Sequence, residues 1–246
     1  MKILQLNVWM GKIEGNLRRF LIENNFDIIC MQEVFASENQ ETHLSRLCFD
    51  LSQIIKASRL EHIFFSPNWS SDIATGTFEE GNLILSRYPF ASTSSEFIND
   101  QYRDHIILGQ TIRNNLNIQI ATLENGLTIV NHHGFWRPDP IGDDDTVRAF
   151  EKVAKIVRPL SEHAPLIMCG DLNIIHESPA MRPLDFLHDL TDEHRVKTTL
   201  SGLKYDGVVP CDHILTNSAI KVDHFIVHPD LVSDHLALSA DFEIEQ

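Results

Sequence analysis

The sequence predicts an α/β protein in which two mixed β-sheets pack face to face with helices outside. Three observations lead there. The chain opens on a β-α-β unit, its middle is a succession of short apolar runs separated by turn residues, and only a few stretches of the 246 residues carry helical periodicity.

Residues 2–8 alternate as a first strand. Residues 14–24 place Leu17, Phe20 and Leu21 on one helical face, and 26–32 form an apolar run that reads as a buried second strand. A second helix starts at Ser37 or Glu38, where Leu44, Leu47, Leu51, Ile54 and Ile55 recur at helical spacing to about Lys56. Short β-rich runs follow at 62–66, 81–86, 106–113, 117–123 and 127–131. Asn114-Asn115 and Asn125-Gly126 supply hairpin turns, so this middle section reads as an antiparallel meander. Val147, Phe150, Val153 and Val157 mark a helix over 146–158, capped by Asp145 or Asp144 and stopped at Pro159. A buried strand at 166–169, a short helix near 179–190 and strands at 212–215, 222–227 and 237–242 complete the chain. No repeat, low-complexity tract or linker interrupts it, so residues 1–246 are expected to form one domain.

Composition narrows the function. There is no 18-residue apolar stretch, and Met1-Lys2 runs straight into a strand, which predicts a soluble, cytoplasmic protein without a signal peptide. Cys30, Cys48, Cys169 and Cys211 are scattered, and two of them sit inside apolar runs, the pattern of buried free thiols. Twenty basic against 35 acidic residues give a net charge of −15, with no basic run. Wrapping long nucleic acid draws on Lys and Arg, so that mode is disfavoured, although a bound cation would reverse the potential locally.

The chemistry gathers where apolar runs end. Gln5-Leu6-Asn7, Met31-Gln32-Glu33 and Gly170-Asp171-Leu172-Asn173 each close a strand, and Asp234-His235 precedes the last. Such positions combine rigidity with access to solvent. Glu33 is either a solvated strand end or a hard-cation ligand, and Asn7 a turn residue or its neighbour. Asp171 and Asn173, two apart, would face one ligand if extended; the alternative is an Asx turn. A histidine that activates water needs a carboxylate on its far nitrogen, which pairs His235 with Asp212. In Asn131-His132-His133-Gly134 only one histidine can face the site, with Glu79 or Glu80 as a charged partner, and the aromatic loop 134–140 beside it suits a substrate wall. His43, His62, His163, His176, His188, His194, His224 and His228 are read as surface or packing residues.

Taken in order, Leu6-Asn7-Val8-Trp9, Met31-Gln32-Glu33-Val34, Glu80-Gly81-Asn82-Leu83, Asn131-His132-His133, Gly170-Asp171-Leu172-Asn173, Cys211-Asp212 and Ser233-Asp234-His235 resemble the endonuclease/exonuclease/phosphatase superfamily. The resemblance implies a four-layered α/β sandwich and hydrolysis of phosphoesters with a divalent cation, usually magnesium, with manganese as a substitute. It implies Glu33 as principal metal ligand with Asn7 and Asp234 close by. Asp171 would orient or deprotonate water and Asn173 hold a phosphate oxygen. His235 with Asp212, and His133 with Glu80, would flank the phosphate, and Arg103 stands where deoxyribonuclease I-like members contact it. His213 replaces a frequent aromatic, and His132 and Gly134 also depart from the pattern.

The leading expectation is a phosphodiesterase or nuclease-type enzyme acting on nucleic-acid ends, short oligonucleotides or a small diester, with no obligate protein partner. A phosphatase or phospholipase-like (sphingomyelinase-type) hydrolase is the alternative, and a non-catalytic binding protein of the same fold the third. A monoesterase needs added cations at the site, and the sequence offers Arg103, Arg87 and Arg137. That favours diesters.

Overall fold

The computed structural model describes residues 1–37, 51–73, 76–99, 103–104, 116–204 and 206–245. Two mixed sheets stack face to face. The first has the order β12-β13-β1-β2-β4-β3-β6, from β1 (Lys2–Asn7), β2 (Ile28–Ser37), β3 (His62–Ile73), β4 (Gly76–Ser86), β6 (Arg103–Asp104), β12 (Ile220–Val227) and β13 (Leu238–Ile244). The second, β10-β11-β9-β8-β7-β5, is built from β5 (Phe90–Phe97), β7 (Asn117–Leu123), β8 (Thr128–His132), β9 (Leu166–Asp171), β10 (His188–Asp189) and β11 (Asp212–Thr216). β1 runs parallel to β2, and β8 parallel to β9. Helices α1 (Glu14–Glu23) and α2 (Leu51–Ser58) cover the first sheet, where Leu17, Phe20, Leu21 and Ile54 meet Leu4, Leu6, Ile29 and Met31. Helix α3 (Asp144–His163) covers the second through Phe150, Val153 and Val157, packed on Val130, Leu166 and Met168. The expected four layers are therefore present.

Period-2 alternation explains what lies between the sheets. Ile3, Ile28, Cys30, Ile129, Ile167, Cys169 and Ile214 form the inner core, while their neighbours Leu4, Ile29, Val130, Met168 and Leu215 face the helices. Continuing the inner row along each strand gives Gln5 and Asn7, Gln32, Asn131, Asp171 and Asp212. The seam between the sheets thus passes from hydrocarbon to amides to carboxylates. Buried at 0–1% exposure, the amides must pair with neighbouring polar groups. Gln5 and Gln32 exchange bonds of 2.7 and 2.9 Å, Gln32 donates to Asn131 Oδ1 (2.6 Å), and Asn131 donates to Gln119 Oε1 (3.0 Å).

Several elements differ from expectation. The middle strands do not form one meander: β3 and β4 pair in the first sheet, and the chain crosses at 87–89 so that β5, β7 and β8 pair in the second. β5, Phe-Ala-Ser-Thr-Ser-Ser-Glu-Phe, is an exposed edge strand with too few apolar residues to signal itself. Pro159 does not stop α3. It sits on the solvent face, where the Lys155 carbonyl it leaves unpaired can be hydrated, and the helix runs on to His163. The cap is Asp143, one residue earlier than expected, in a reciprocal box with Thr146 (2.9 and 3.2 Å). In place of a helix over 179–190 there is a 3-10 turn at Arg182–Leu184, because Pro179 and Pro183 withhold amide hydrogens; β10 and the short helix α4 (Leu190–Glu193) follow. The expected start of the second helix, the strand at 106–113 and the Asn114-Asn115 turn lie outside the described residues.

Candidate active site

The strand ends that carry polar clusters converge on Asp171. One of its oxygens, Oδ2, accepts from Asn7 Nδ2 at 2.9 Å and lies 3.6 Å from His133 Nε2 and 3.7 Å from His235 Nε2. Two glycines permit this approach. A Cβ on Gly170 would stand 2.0 Å from the His132 carbonyl oxygen, and one on Gly134 2.1 Å from the Leu172 oxygen, so only glycine lets β8 and β9 close together here.

His235 Nδ1–H donates to Asp212 Oδ2 at 2.8 Å, the pairing expected from sequence. Asp212 is fully buried and held from several sides: Gln5 Nε2 donates to its Oδ1 (3.2 Å), its backbone N–H donates to Thr199 Oγ1 (3.1 Å), and its carbonyl accepts from Thr191 Oγ1 (2.9 Å). Burial opposes ionisation of Asp212, but the His235 charge and hydrogen bond, with Thr199 and Gln5, hold its carboxyl below the usual range. Burial likewise works against protonated His235, and the Asp212 and Asp171 charges overcome it, raising the imidazole well above its ordinary value. Among the described residues no hydrogen bond or ion pair joins His133 to Glu80; the His133 Nδ1 is buried without a hydrogen-bond partner, and the ring faces Asp171. Its neighbour His132 turns to the opposite face, near Asn117 O (3.1 Å) and Phe150, and burial pulls it down to about 4.

Glu33 is aimed by backbone irregularity. Strict alternation after Gln32 would send it outward with Met31. The β2–β4 register shifts between Met31 and Val34, Glu33 adopts φ 53°, and its Oε1 comes within 3.2 Å of Asn7 Nδ2. A left-handed glutamate costs about 1–3 kcal/mol, strain typical of functional positions. Asn7 thus ties Glu33 to Asp171 through its NH2 group, while its carbonyl accepts the Trp9 N–H at 3.0 Å. Asp234 lies one carboxylate away, 4.0 Å from His235 Nε2. Burial pushes it up, and the Glu33 charge adds to that, against the opposing influence of His235, Lys204 and Ser233. Two neighbouring carboxylates beside an amide are the oxygen-rich donor set a hard divalent cation fits.

A second group, Asp171, Cys211, Asp212 and His235, brings its potential ligand atoms within 4.8 Å of one another. Here Asp212 and His235 are committed to each other, and burial, with the Asp171 and Asp212 charges, pushes the Cys211 thiol up to about 12. With Asp212 and His235 engaged there, the oxygen-only Glu33 and Asp234 side fits a hard cation better.

The remaining expectations fare variously. Asn173 is not extended: at φ 57° its N–H bonds Asp171 Oδ1 (3.1 Å) and its Nδ2 donates to Gly134 O (3.1 Å), an Asx turn that braces Asp171. Arg103 lies in β6, level with Trp69 and Glu80 in neighbouring strands. Arg87 belongs to the other end of β2, where it holds Asp27 Oδ1 (2.8 Å), and Arg137 is taken by Asp143 (2.6 Å). Sequence reasoning missed Lys204, whose Nζ stands 3.5 Å from Asp234 Oδ2 in a loop with no pattern to mark it.

The fold and the site define a class, the phosphoester hydrolases built on a two-sheet α/β sandwich. The sequence pattern of the Endonuclease/Exonuclease/phosphatase family matches residues 4–235, and the chain belongs to that family. Solved structures share the fold. A family protein from Leptotrichia buccalis C-1013-b aligns over 99% of this chain and 100% of its own, at 21% identity and TM-score 0.69. The mannosyl-6-phosphatase of Bacteroides thetaiotaomicron VPI-5482 aligns over 99% and 100% at 16% identity and TM-score 0.69. The human Nocturnin catalytic domain aligns over 99% and 94% at 18% identity and TM-score 0.68. No curated protein sequence matches the chain.

Proposed function

We propose that this chain is a divalent-cation-dependent phosphoester hydrolase of the phosphodiesterase or nuclease type, working as one catalytic domain. The observation that carries the reading is the convergence of Asn7, His133 and His235 on one oxygen of Asp171, with Asp212 behind His235. An acceptor between two imidazoles is suited to holding and deprotonating a water for in-line attack on phosphorus. Asp212 fixes the His235 tautomer so that Nε2 faces the reacting oxygens. His133, just past the end of β8, flanks them. Asn173 braces the Asp171 turn, and its amide would serve a phosphoryl oxygen on leaving Gly134 O.

Glu33 and Asp234 would hold the cation, with Asn7 adding its oxygen if the amide turns over. Bound magnesium, or manganese, would supply neutralisation of charge on the phosphoryl oxygens. Among the described residues no helix is long and apolar enough to cross a membrane. The buried free thiols of Cys30, Cys169 and Cys211 support a reducing, cytoplasmic setting. A second reading, a phosphatase, gains from Lys204, an ammonium of the kind a dianionic phosphate needs.

Chelator-sensitive release of nitrophenol from bis(p-nitrophenyl) phosphate tests the proposal. His235→Ala should lower the rate by about 10²–10⁴. A purified protein that turns over neither this ester, aryl phosphate, DNA, RNA nor sphingomyelin would support a non-catalytic binding role instead.

A further inference from the structure

We infer that Thr199 is a positioning residue for the reaction: through its hydroxyl and its carbonyl it ties Asp212 to His235 across the seam between the two sheets. This rests on the hydrolase reading and concerns the same site. The need for such a residue arises where β11 begins. On one side β11 pairs with β9 from Asp212 onward, but β10 reaches it only at Leu215 and Thr216. The backbone N–H groups of Cys211 and Asp212 thus lie past the end of β10, in residues only 5% and 0% exposed. A buried N–H without an acceptor is costly. Thr199 Oγ1 accepts both, each at 3.1 Å, and the Thr199 N–H is itself fastened to Val209 O at 3.0 Å.

Its main chain reaches the other half of the pair. Leu236 N–H donates to the Thr199 carbonyl at 2.6 Å, and Leu200 forms an isolated antiparallel bridge with His235. One residue further on, Ser201 N–H donates to Asp234 O at 2.8 Å. Asp212 opens β11 in the second sheet, whereas His235 precedes β13 in the first. Their 2.8 Å bond therefore depends on how far apart and at what angle two sheets stand at this edge. Thr199 spans the same gap with bonds on both sides, so it fixes the alignment that the imidazole and carboxylate need.

The chemistry of the hydroxyl adds to the geometry. An oxygen that accepts two N–H groups has used both lone pairs, so its hydrogen is left to donate. Val209 O, at 3.5 Å, is at the limit of reach, and the Thr199 hydroxyl is among the groups that hold the Asp212 carboxyl below its usual range. Serine would reproduce each of these bonds. Valine has the same shape and would keep only those of the main chain, leaving the Cys211 and Asp212 amides without their acceptor.

The test compares Thr199→Val with Thr199→Ser in the whole chain, on bis(p-nitrophenyl) phosphate with magnesium. Thr199→Val should lower kcat about 10- to 100-fold with KM within about twofold, and Thr199→Ser should restore most of the rate. In a His235→Ala background Thr199→Val should cost less than about twofold, because the group it aligns is gone. A second readout needs no turnover: the downfield proton resonance of His235 Nδ1–H, identified by its loss in His235→Gln, should broaden through exchange with water in Thr199→Val and stay sharp in Thr199→Ser. Should Thr199→Val fail to fold, Thr199→Cys, which keeps a weak acceptor in the same place, is the second variant and should lose both quantities in smaller measure. The inference is overturned if the hydroxyl-deleting variant leaves the resonance or the kcat of an active wild type as it was, if it costs as much in the His235→Ala background, or if serine does no better than valine. Turnover separates the two readings: a wild type that hydrolyses no ester while Thr199→Val loses the resonance removes the hydrolase alone, and an active wild type whose Thr199→Val variant keeps its kcat removes the positioning role alone.

Discussion

His213 is fully buried on the outer face of β11, and both of its ring nitrogens meet acceptors: Nδ1 lies 2.9 Å from Asp189 Oδ2 and Nε2 2.8 Å from Ile174 O. A neutral imidazole has one N–H, so it would leave an acceptor facing a lone pair, and the geometry requires the doubly protonated ring. Burial alone lowers its proton affinity, but the Asp189 carboxylate and the two hydrogen bonds reverse that, carrying His213 from 6.5 up to about 9. The folded value lies above the unfolded one, so the stabilisation is fully present below about 6.5 and is lost as pH rises through about 9. At about 1.4 kcal/mol for each tenfold change in proton affinity, the contribution is about 3 kcal/mol. The perturbation is His213→Phe, which restores the aromatic volume and removes the proton. Urea unfolding of both proteins from pH 6 to pH 10 isolates His213, because every other titrating group common to both cancels in the difference. The stability gap between wild type and variant should narrow by about 3 kcal/mol between about pH 6.5 and about pH 9.5. A gap constant across that range would refute the imidazolium. His213→Phe together with Asp189→Asn, which removes the stranded charge as well, should recover part of the loss at neutral pH.

Three other outcomes follow from the same coordinates. Glu33→Gln should fold with an unchanged far-ultraviolet spectrum and lose both calorimetric magnesium binding and turnover; retained magnesium affinity would move the cation elsewhere. Gly170→Ala, whose new Cβ would meet the His132 oxygen at 2.0 Å, should lose about 3 kcal/mol in urea unfolding, whereas Gly15→Ala, with open space in α1, should gain about 0.5–1 kcal/mol. Gln32→Leu strands the buried amides of Gln5 and Asn131 and should cost about 2 kcal/mol or more, with a fall in kcat because Gln5 then holds Asp212 less firmly; an unchanged kcat would detach the amide row from catalysis.

Much of this molecule is legible in the order of its residues, because burial imposes a period on each element. The strand at 117–123 coincides with β7, and the first strand and helix lie within one residue of their expected bounds, while β2 runs five residues past the expected 32. The pairing of His235 with Asp212 was legible for a chemical reason, the need of an imidazole for a carboxylate on its far nitrogen. Exposed positions gave no such signal: β5 is written in serines on an exposed edge, and α3 carries its proline on the face turned to solvent.

What residue order determined by itself is which groups lie at strand ends, and so the class of chemistry they share. Where those groups point was decided by tertiary structure. Glu33 turns inward only because a bulge, set by pairing with β4, breaks the alternation a sequence reader must assume. Asn173 turns back to brace Asp171 through the Gly134 carbonyl, from the loop that follows the neighbouring strand. Lys204 joins the site through bonds between segments more than thirty residues apart, chiefly between backbone groups that every residue carries and no side-chain pattern announces.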